Sequence, residues 1–380
     1  MTPIYLDYAA TTPAAPEVAA LMAEYLTLDG CFANPASRSH LSGWQAEQAV
    51  EKARSQVADL IGADLREIVW TSGATEANNL ALIGAARANP DRGRHIITSR
   101  IEHKAVGDTC DWLETQGWEI TRLQPDNQGR IQVEQVAEVL REDTLLVSLM
   151  LINNELGSLN PITQVGELLK EHPALLHVDA AQAAGKLPID VTALNIDLLS
   201  LSAHKFYGPK GVGALYVRRE PQVKLEALIH GGGHERGMRS GTLPTHQLVG
   251  MGEAARLAQE NLQADAEHIS DCRTVFLQQL DPQFYRQTGT AADNWPGIIN
   301  LAFPGIEAET LILALPDLAV STGSACNSAT LDPSYVLTAV GLPRAEALSS
   351  VRFSFGRYLT REEALKAGQL VNQALERLNS

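Results

Sequence analysis

Cysteine is scarce, and its placement excludes more than its number. The 380 residues hold only four: Cys31, Cys110, Cys272 and Cys326. None is paired as C-x-x-C, so neither a disulfide framework nor a structural zinc site is implied. Basic residues are also short, with 30 Lys+Arg against 45 Asp+Glu and a formal net charge of −15. Such an acidic chain is a poor candidate for unaided binding to nucleic acid or an anionic membrane surface. No apolar run approaches the roughly 20 residues of a membrane span. The opening MTPIYLDYAATTPAAPE has neither a basic stretch nor an apolar run, so it does not read as a secretory signal. A cytoplasmic protein is expected. Low-complexity segments, repeats and long linkers are missing too.

What is present is an alternating rhythm. Short apolar runs at 67–72, 95–99, 119–123, 144–150, 175–180, 197–203 and 212–217 read as strands. Helical periodicity fills gaps at 75–88, 103–116, 133–140 and 161–171. This predicts an α/β fold with a mostly parallel central sheet flanked by helices. After about residue 255 the rhythm changes. A long helical stretch at 245–273 leads into a smaller α+β set with strands near 298–303 and 349–355 and helices near 307–315, 335–340 and 361–378. We expect a large domain over 12–255 and a smaller one made of 1–11 and 256–380.

Several strand ends carry chemistry. SLSAHKFYGPKGVG (200–213) places Lys205 just past a strand, where open α/β sheets gather ligands. A lysine there can form a Schiff base with a carbonyl cofactor, and Ser202 and His204 beside it can hydrogen-bond an anion. A lone strand-end lysine is more often a surface residue; its neighbours in the fold must decide. HVDAAQ (177–182) ends another strand in Asp179, which can pair with a protonated pyridine nitrogen, while Gln182 can reach a ring hydroxyl. As a plain alternative, Asp179 caps a helix. TSGATEANNL (71–80) puts a glycine turn between strand and helix, a natural phosphate cradle through backbone N–H groups and the Thr75 hydroxyl. His103 in RIEHKAV could stack on an aromatic ring and shuttle protons, or simply be surface. Asn154 in NNELG faces the same cleft or forms an ordinary polar turn.

HGGGHERGMRSGT (230–242) is dense in glycine, which implies positive φ and close backbone approach. The same glycines argue against a helix that would align His230 and His234 on a metal, and no metal is expected. AVSTGSACNSATLDPSYVL (319–337) sets Cys326 among small residues, a composition that suits an exposed loop (about 321–332) with a reactive thiol. Cys31 beside Phe32, and Cys110 and Cys272 within helical patterns, read as core or surface filler. SSVRFSFGR (349–357) places Arg352 on a strand of the smaller domain, where a guanidinium could grip a carboxylate bidentately or sit at the surface.

In this order, YLDYAATTP (5–13), NPASRSH (34–40), TSGATEAN, EHKAV, NNELG, HVDAAQ, AHKFYGPKG, HGGGHERGMRSGT, STGSACNSA and RFSFGR resemble the cysteine desulfurases. These belong to the class V (fold type I) pyridoxal-phosphate (PLP) enzymes. The last segments are similar to the long-loop group that includes the desulfurase of bacterial iron–sulfur cluster assembly. The resemblance implies PLP as cofactor, L-cysteine as substrate and a homodimer. It implies that Lys205 holds PLP and moves the proton, with Asp179 on the pyridine nitrogen, His103 stacked on the ring and Gln182 on the ring oxygen. Ala74, Thr75, Ser202 and His204 would bind phosphate, joined by Thr242 from the partner subunit. Asn154 and Arg352, with Asn34, would hold the substrate. Cys326 would take the sulfur as a persulfide and pass it to an acceptor protein, for iron–sulfur assembly or another pathway such as DNA phosphorothioation. Selenocysteine lyase is the alternative on the same scaffold. The sequence ends at ALERLNS (374–380), whereas the family's housekeeping enzyme carries a further tail that docks its scaffold protein.

Overall fold

The computed structural model describes residues 3–289, 292–322 and 332–379. The first half runs β1 (Ile4–Tyr5), α1 (Pro16–Ala23), α2 (Leu41–Ile61), β2 (Ile68–Thr71), α3 (Ala74–Ala88), β3 (His95–Ser99), α4 (Lys104–Thr115), β4 (Glu119–Leu123), α5 (Val133–Val139), β5 (Thr144–Met150), α6 (Ile162–Leu169), β6 (Leu175–Asp179), β7 (Leu198–Ser202) and β8 (Gly213–Val217). Then follow α7 (Thr245–Leu277), β9 (Arg286–Thr288), β10 (Ile298–Ala302), α8 (Ala308–Leu313), β11 (Leu318–Ala319), α9 (Tyr335–Ala339), α10 (Arg344–Leu348), β12 (Ser350–Ser354) and α11 (Arg361–Asn379).

Seven strands form one sheet in the order β2-β8-β7-β6-β5-β3-β4. Neighbours pair in parallel except at β8, which is antiparallel to both β2 and β7. They are the seven strands expected from the apolar runs, within a residue or two at each end. Strands buried on both faces need apolar side chains up and down. In β8, Ala214 and Tyr216 enter one apolar core while Leu215 and Val217 enter the core on the opposite face. Six strands point the same way, so Thr71, Ser99, Met150, Asp179 and Ser202 end their strands along one edge of the sheet.

Beyond the sheet, α7 runs without a break from Thr245 to Leu277 and packs against α1, α2 and α11. A three-stranded antiparallel sheet, β12-β10-β9, sets Arg352 opposite Asn300. The chain's start joins this half: β1 pairs in parallel with β11, and Asp7 bridges to Ser354. The larger core takes in Leu6, Trp70, Phe276, Phe353 and Leu375 together. Among the described residues, no helix is long and apolar enough to cross a membrane.

Candidate active site

At the carboxyl edge of the large sheet lies a cavity of about 470 Å³, a volume suited to a small-molecule cofactor. Ten residues singled out in the sequence line it: Ala74, Thr75, His103, Asn154, Asp179, Gln182, Ser202, His204, Lys205 and Arg352. They come from six separate stretches of chain, five of them brought together because parallel strands end on one side.

Asp179 closes β6 and is 4% exposed. Its Oδ2 accepts a hydrogen bond from Asn78 Nδ2 at 2.8 Å, and its Oδ1 accepts one from the Ala181 N–H at 2.9 Å. The carboxylate is therefore fixed by two donors. Asn78, fully buried on α3, was not among the expected site residues.

Lys205 follows β7 in a single 3-10 turn, Ala203–Lys205. Its Nζ donates to the carbonyls of Ala9 (2.6 Å) and Ala10 (2.8 Å). His204 is tied to the same N-terminal segment: its Nδ1 lies 3.1 Å from Thr11 Oγ1, and its carbonyl accepts from the Thr12 N–H at 2.9 Å. Burial first, and then the charge of Lys205, push His204 down to about 4, so its ring is neutral near neutrality.

Gly73 precedes α3 with φ +154°, and no side chain caps this helix. Residues 72–76 line the cavity. An uncapped helix start offers backbone N–H groups and a positive dipole end to an anion. The turn is pressed onto the sheet at Gly213, where an added Cβ would come within 2.6 Å of Gly73 Cα. Glu76, next in line, accepts from the Ser72 N–H at 2.8 Å and pairs with Arg239 at 2.7 Å. That ties the cradle to the glycine-rich segment, in which Gly231, Gly232, Gly233, Gly237 and Gly241 all have positive φ.

His103 caps α4, its Nδ1 accepting from the Ala105 N–H at 3.1 Å. Burial lowers its pKa, with Asp179 opposing and Lys205 adding to the fall. The cap fixes the ring against the cavity wall.

Arg352 is 3% exposed. Its guanidinium donates to Asp7 Oδ1 at 2.7 Å and to the Asn154 carbonyl at 2.9 Å. Two buried atoms here have no partner among the described residues, Arg352 Nε and Asn154 Oδ1. Orphaned polar atoms beside a cavity are what a polar ligand would satisfy. Asp7 had not been singled out; its partner lies 345 residues away.

The fit to PLP follows from these observations. A buried, doubly held carboxylate suits a protonated ring nitrogen, an uncapped helix start suits the phosphate, and a lysine between them suits the aldehyde. Asn34 and Thr242 are exposed and lie outside the residues that line this cavity. Asn34 Oδ1 accepts from the Ala36 N–H at 2.9 Å. Cys326 lies outside the described residues. Cys110 and Cys272 are fully buried, and burial pushes their thiols up to about 12 and about 11. Both are packing residues. Cys31 is half-buried, its Sγ 3.7 Å from the Ser42 carbonyl.

Residues 4–366 match the class-V aminotransferase family. Cysteine desulfurase IscS of Aeromonas salmonicida (strain A449) is 56% identical over 99% of this chain and 93% of its own length. Among solved structures, a NifS-like protein superposes with a TM-score of 0.91 at 35% identity, covering both chains completely. A structure described as SspA in complex with cysteine gives 0.83 at 40% identity over 94% of this chain and 99% of that one.

Proposed function

We propose, for a chain that belongs to the class-V aminotransferases and among them to the cysteine desulfurases, that Lys205, Asp179 and Cys326 carry the removal of sulfur from L-cysteine. The enzyme is PLP-dependent and releases L-alanine. The observation that carries the residue assignment is one cavity in which a strand-end lysine, a doubly held carboxylate and an uncapped helix start converge.

When bound, PLP supplies an electron sink that makes the substrate Cα–H acidic and the Cβ–Sγ bond breakable. Lys205, whose Nζ now donates to the Ala9 and Ala10 carbonyls, would hold the cofactor and serve as base at the substrate Cα. Asp179 would pair with the ring nitrogen, kept in place by Asn78 and the Ala181 N–H. Ala74 and Thr75 at the helix start, with Ser202 and His204, receive the phosphate, and Thr242 of a second copy completes that site. His103, half-buried and neutral, stacks on the ring and relays protons. Gln182 donates to the ring oxygen. Arg352 and Asn154, with Asn34, hold the substrate amino acid. The thiolate of Cys326 bonds to the substrate sulfur as the Cβ–Sγ bond breaks. Cys326 leaves as a persulfide and the three-carbon remainder leaves as alanine, so no external oxidant is needed. The persulfide then passes to an acceptor protein.

We assign this chemistry to a cytoplasmic homodimer, with residues 12–255 as the large domain and 1–11 with 256–380 as the small one. Selenocysteine lyase is not favoured, since the relative named above is a cysteine desulfurase. The test uses purified protein. A visible absorption band from bound PLP is expected, followed by stoichiometric alanine and sulfide when L-cysteine and a reductant are added. Lys205→Ala should lose the band and the turnover; Cys326→Ala should keep the band and lose cysteine turnover. A fully active Lys205→Ala enzyme overturns the assignment.

A further inference from the structure

A second lysine is joined to this site through Gln182 and has no part in the steps above. Lys186 Nζ donates to Gln182 Oε1 at 2.7 Å. Gln182 Nε2 donates to the Ala9 carbonyl at 2.8 Å, and that same oxygen accepts from Lys205 Nζ at 2.6 Å. Lys186 and Lys205 both border a small cavity of about 20 Å³. Four groups thus form one continuous chain of hydrogen bonds from Lys186 to Lys205.

The chemistry of the partners gives this chain a direction. An ammonium is a donor only, and a neutral amine still donates through its N–H bonds, whereas a primary amide has one accepting oxygen and two N–H donors on one nitrogen. With Lys186 on its oxygen, Gln182 cannot turn that oxygen toward the cavity it lines. Its nitrogen faces Ala9, one N–H is taken by the carbonyl, and the other is left for the cavity side. We propose that Lys186 is a positioning residue for the cofactor, acting through Gln182 by fixing the amide so that an N–H, not the oxygen, meets the ring oxygen of PLP. This rests on the reading of Gln182 given above.

A donor at that position stabilises the ring oxygen as an anion; an acceptor would drive it to take up a proton. Lys186 is half-buried, and its charge is placed beside other cations. Burial, followed by the charges of Lys205 and Arg352, pushes Lys186 down to about 7.

The experiment compares the absorption spectra of the holoenzyme and its variants across pH. In Lys186→Met the amide loses its oriented donor. The ratio of visible to near-ultraviolet absorbance is expected to fall about tenfold, the scale of losing one net hydrogen bond. Turnover number should fall with KM little changed. Lys186→Glu replaces donor by acceptor and turns the amide over, giving a larger change of the same sign in a pocket whose cations tolerate the carboxylate. Lys186→Arg restores the wild-type ratio. In a Gln182→Leu background, Lys186→Met should add nothing further. A wild-type ratio in Lys186→Met or Lys186→Glu overturns the proposal, as does a full additive effect in the Gln182→Leu background. A wild-type ratio in Gln182→Leu alone would instead sink the reading of Gln182, and no visible band in the unaltered protein would sink the reading of the cofactor.

Discussion

Single residues in this molecule carry little meaning without partners that the sequence places far away. Lys205 taken alone is an ordinary lysine past a strand. Asp179 becomes a site residue because Asn78, 101 positions earlier, holds it. Motif spacing reveals the first two; Asn78 ends the TSGATEAN segment, but nothing local shows that its side chain reaches Asp179. Glu102 is a similar case. It neighbours His103, is 2% exposed, and its Oε1 accepts from Ser99 Oγ at 2.5 Å. Burial, opposed by that hydrogen bond, pushes its carboxyl up to about 8. The folded protein therefore keeps a proton that the unfolded chain releases near the ordinary glutamate value. Stability contributed below that value is lost as pH rises toward 8, by up to ~1.4 kcal/mol per pH unit. Glu102→Gln has no such proton to lose. Thermal unfolding of both proteins at pH 5 and pH 8 should show the variant gaining on the wild type as pH rises. A gap independent of pH would refute a protonated Glu102.

At the scale of elements, what was legible follows from how each is buried. Six of the seven strands of the large sheet announce themselves because both faces are buried and turns bound each run, whereas in the edge strand β4 only Leu123 is buried. Helix α2 does not announce itself. Its buried face is built largely from Ala46, Ala53, Val57, Ala58 and Arg54, too small and too mixed for a strong apolar stripe. Arg54 is buried there because Glu235 of the glycine-rich segment pairs with it at 2.7 Å. The cradle before α3 shows the opposite situation, where the motif is visible but its support is not. Gly213, the first residue of β8, pairs with Thr71 and Ser202. An added Cβ would lie 2.4 Å from the Leu201 carbonyl oxygen and 2.6 Å from Gly73 Cα. Both neighbours are backbone and cannot rotate away. Gly213→Ala must therefore lift the cradle off the sheet, at a cost of about 1–3 kcal/mol for overpacking. We expect PLP affinity to weaken at least about tenfold, read by equilibrium dialysis, with the far-UV spectrum retained. Unchanged affinity would show that the turn is not the phosphate site.

Across the whole molecule, the first dozen residues join what the sheet alone would leave apart. Ile4 and Tyr5 pair with Leu318 and Ala319, Ala9 donates to Ser354 Oγ, and Ala9 and Ala10 receive Lys205. The sequence pattern groups residues 1–11 with the C-terminal third; in the fold the segment pairs with β11, and Ala9 and Ala10 line the cavity. Its most consequential contact is Asp7 with Arg352, at 2.7 Å and with side chains 19% and 4% exposed. The pair holds the guanidinium against the cavity while cancelling its charge beside Lys205 and Lys186. Asp7→Asn keeps the shape and removes the charge. The uncompensated guanidinium should cost about 2 kcal/mol, below the figure for a fully enclosed pair because Asp7 is partly wet. The same change leaves the cavity more positive, so an unreactive carboxylate such as propionate should inhibit at lower concentration than in the wild type. Stability and anion affinity thus move in opposite directions. A purely structural contact would lower the unfolding temperature and leave the inhibition constant where it was, and that result would remove Arg352 from the carboxylate site.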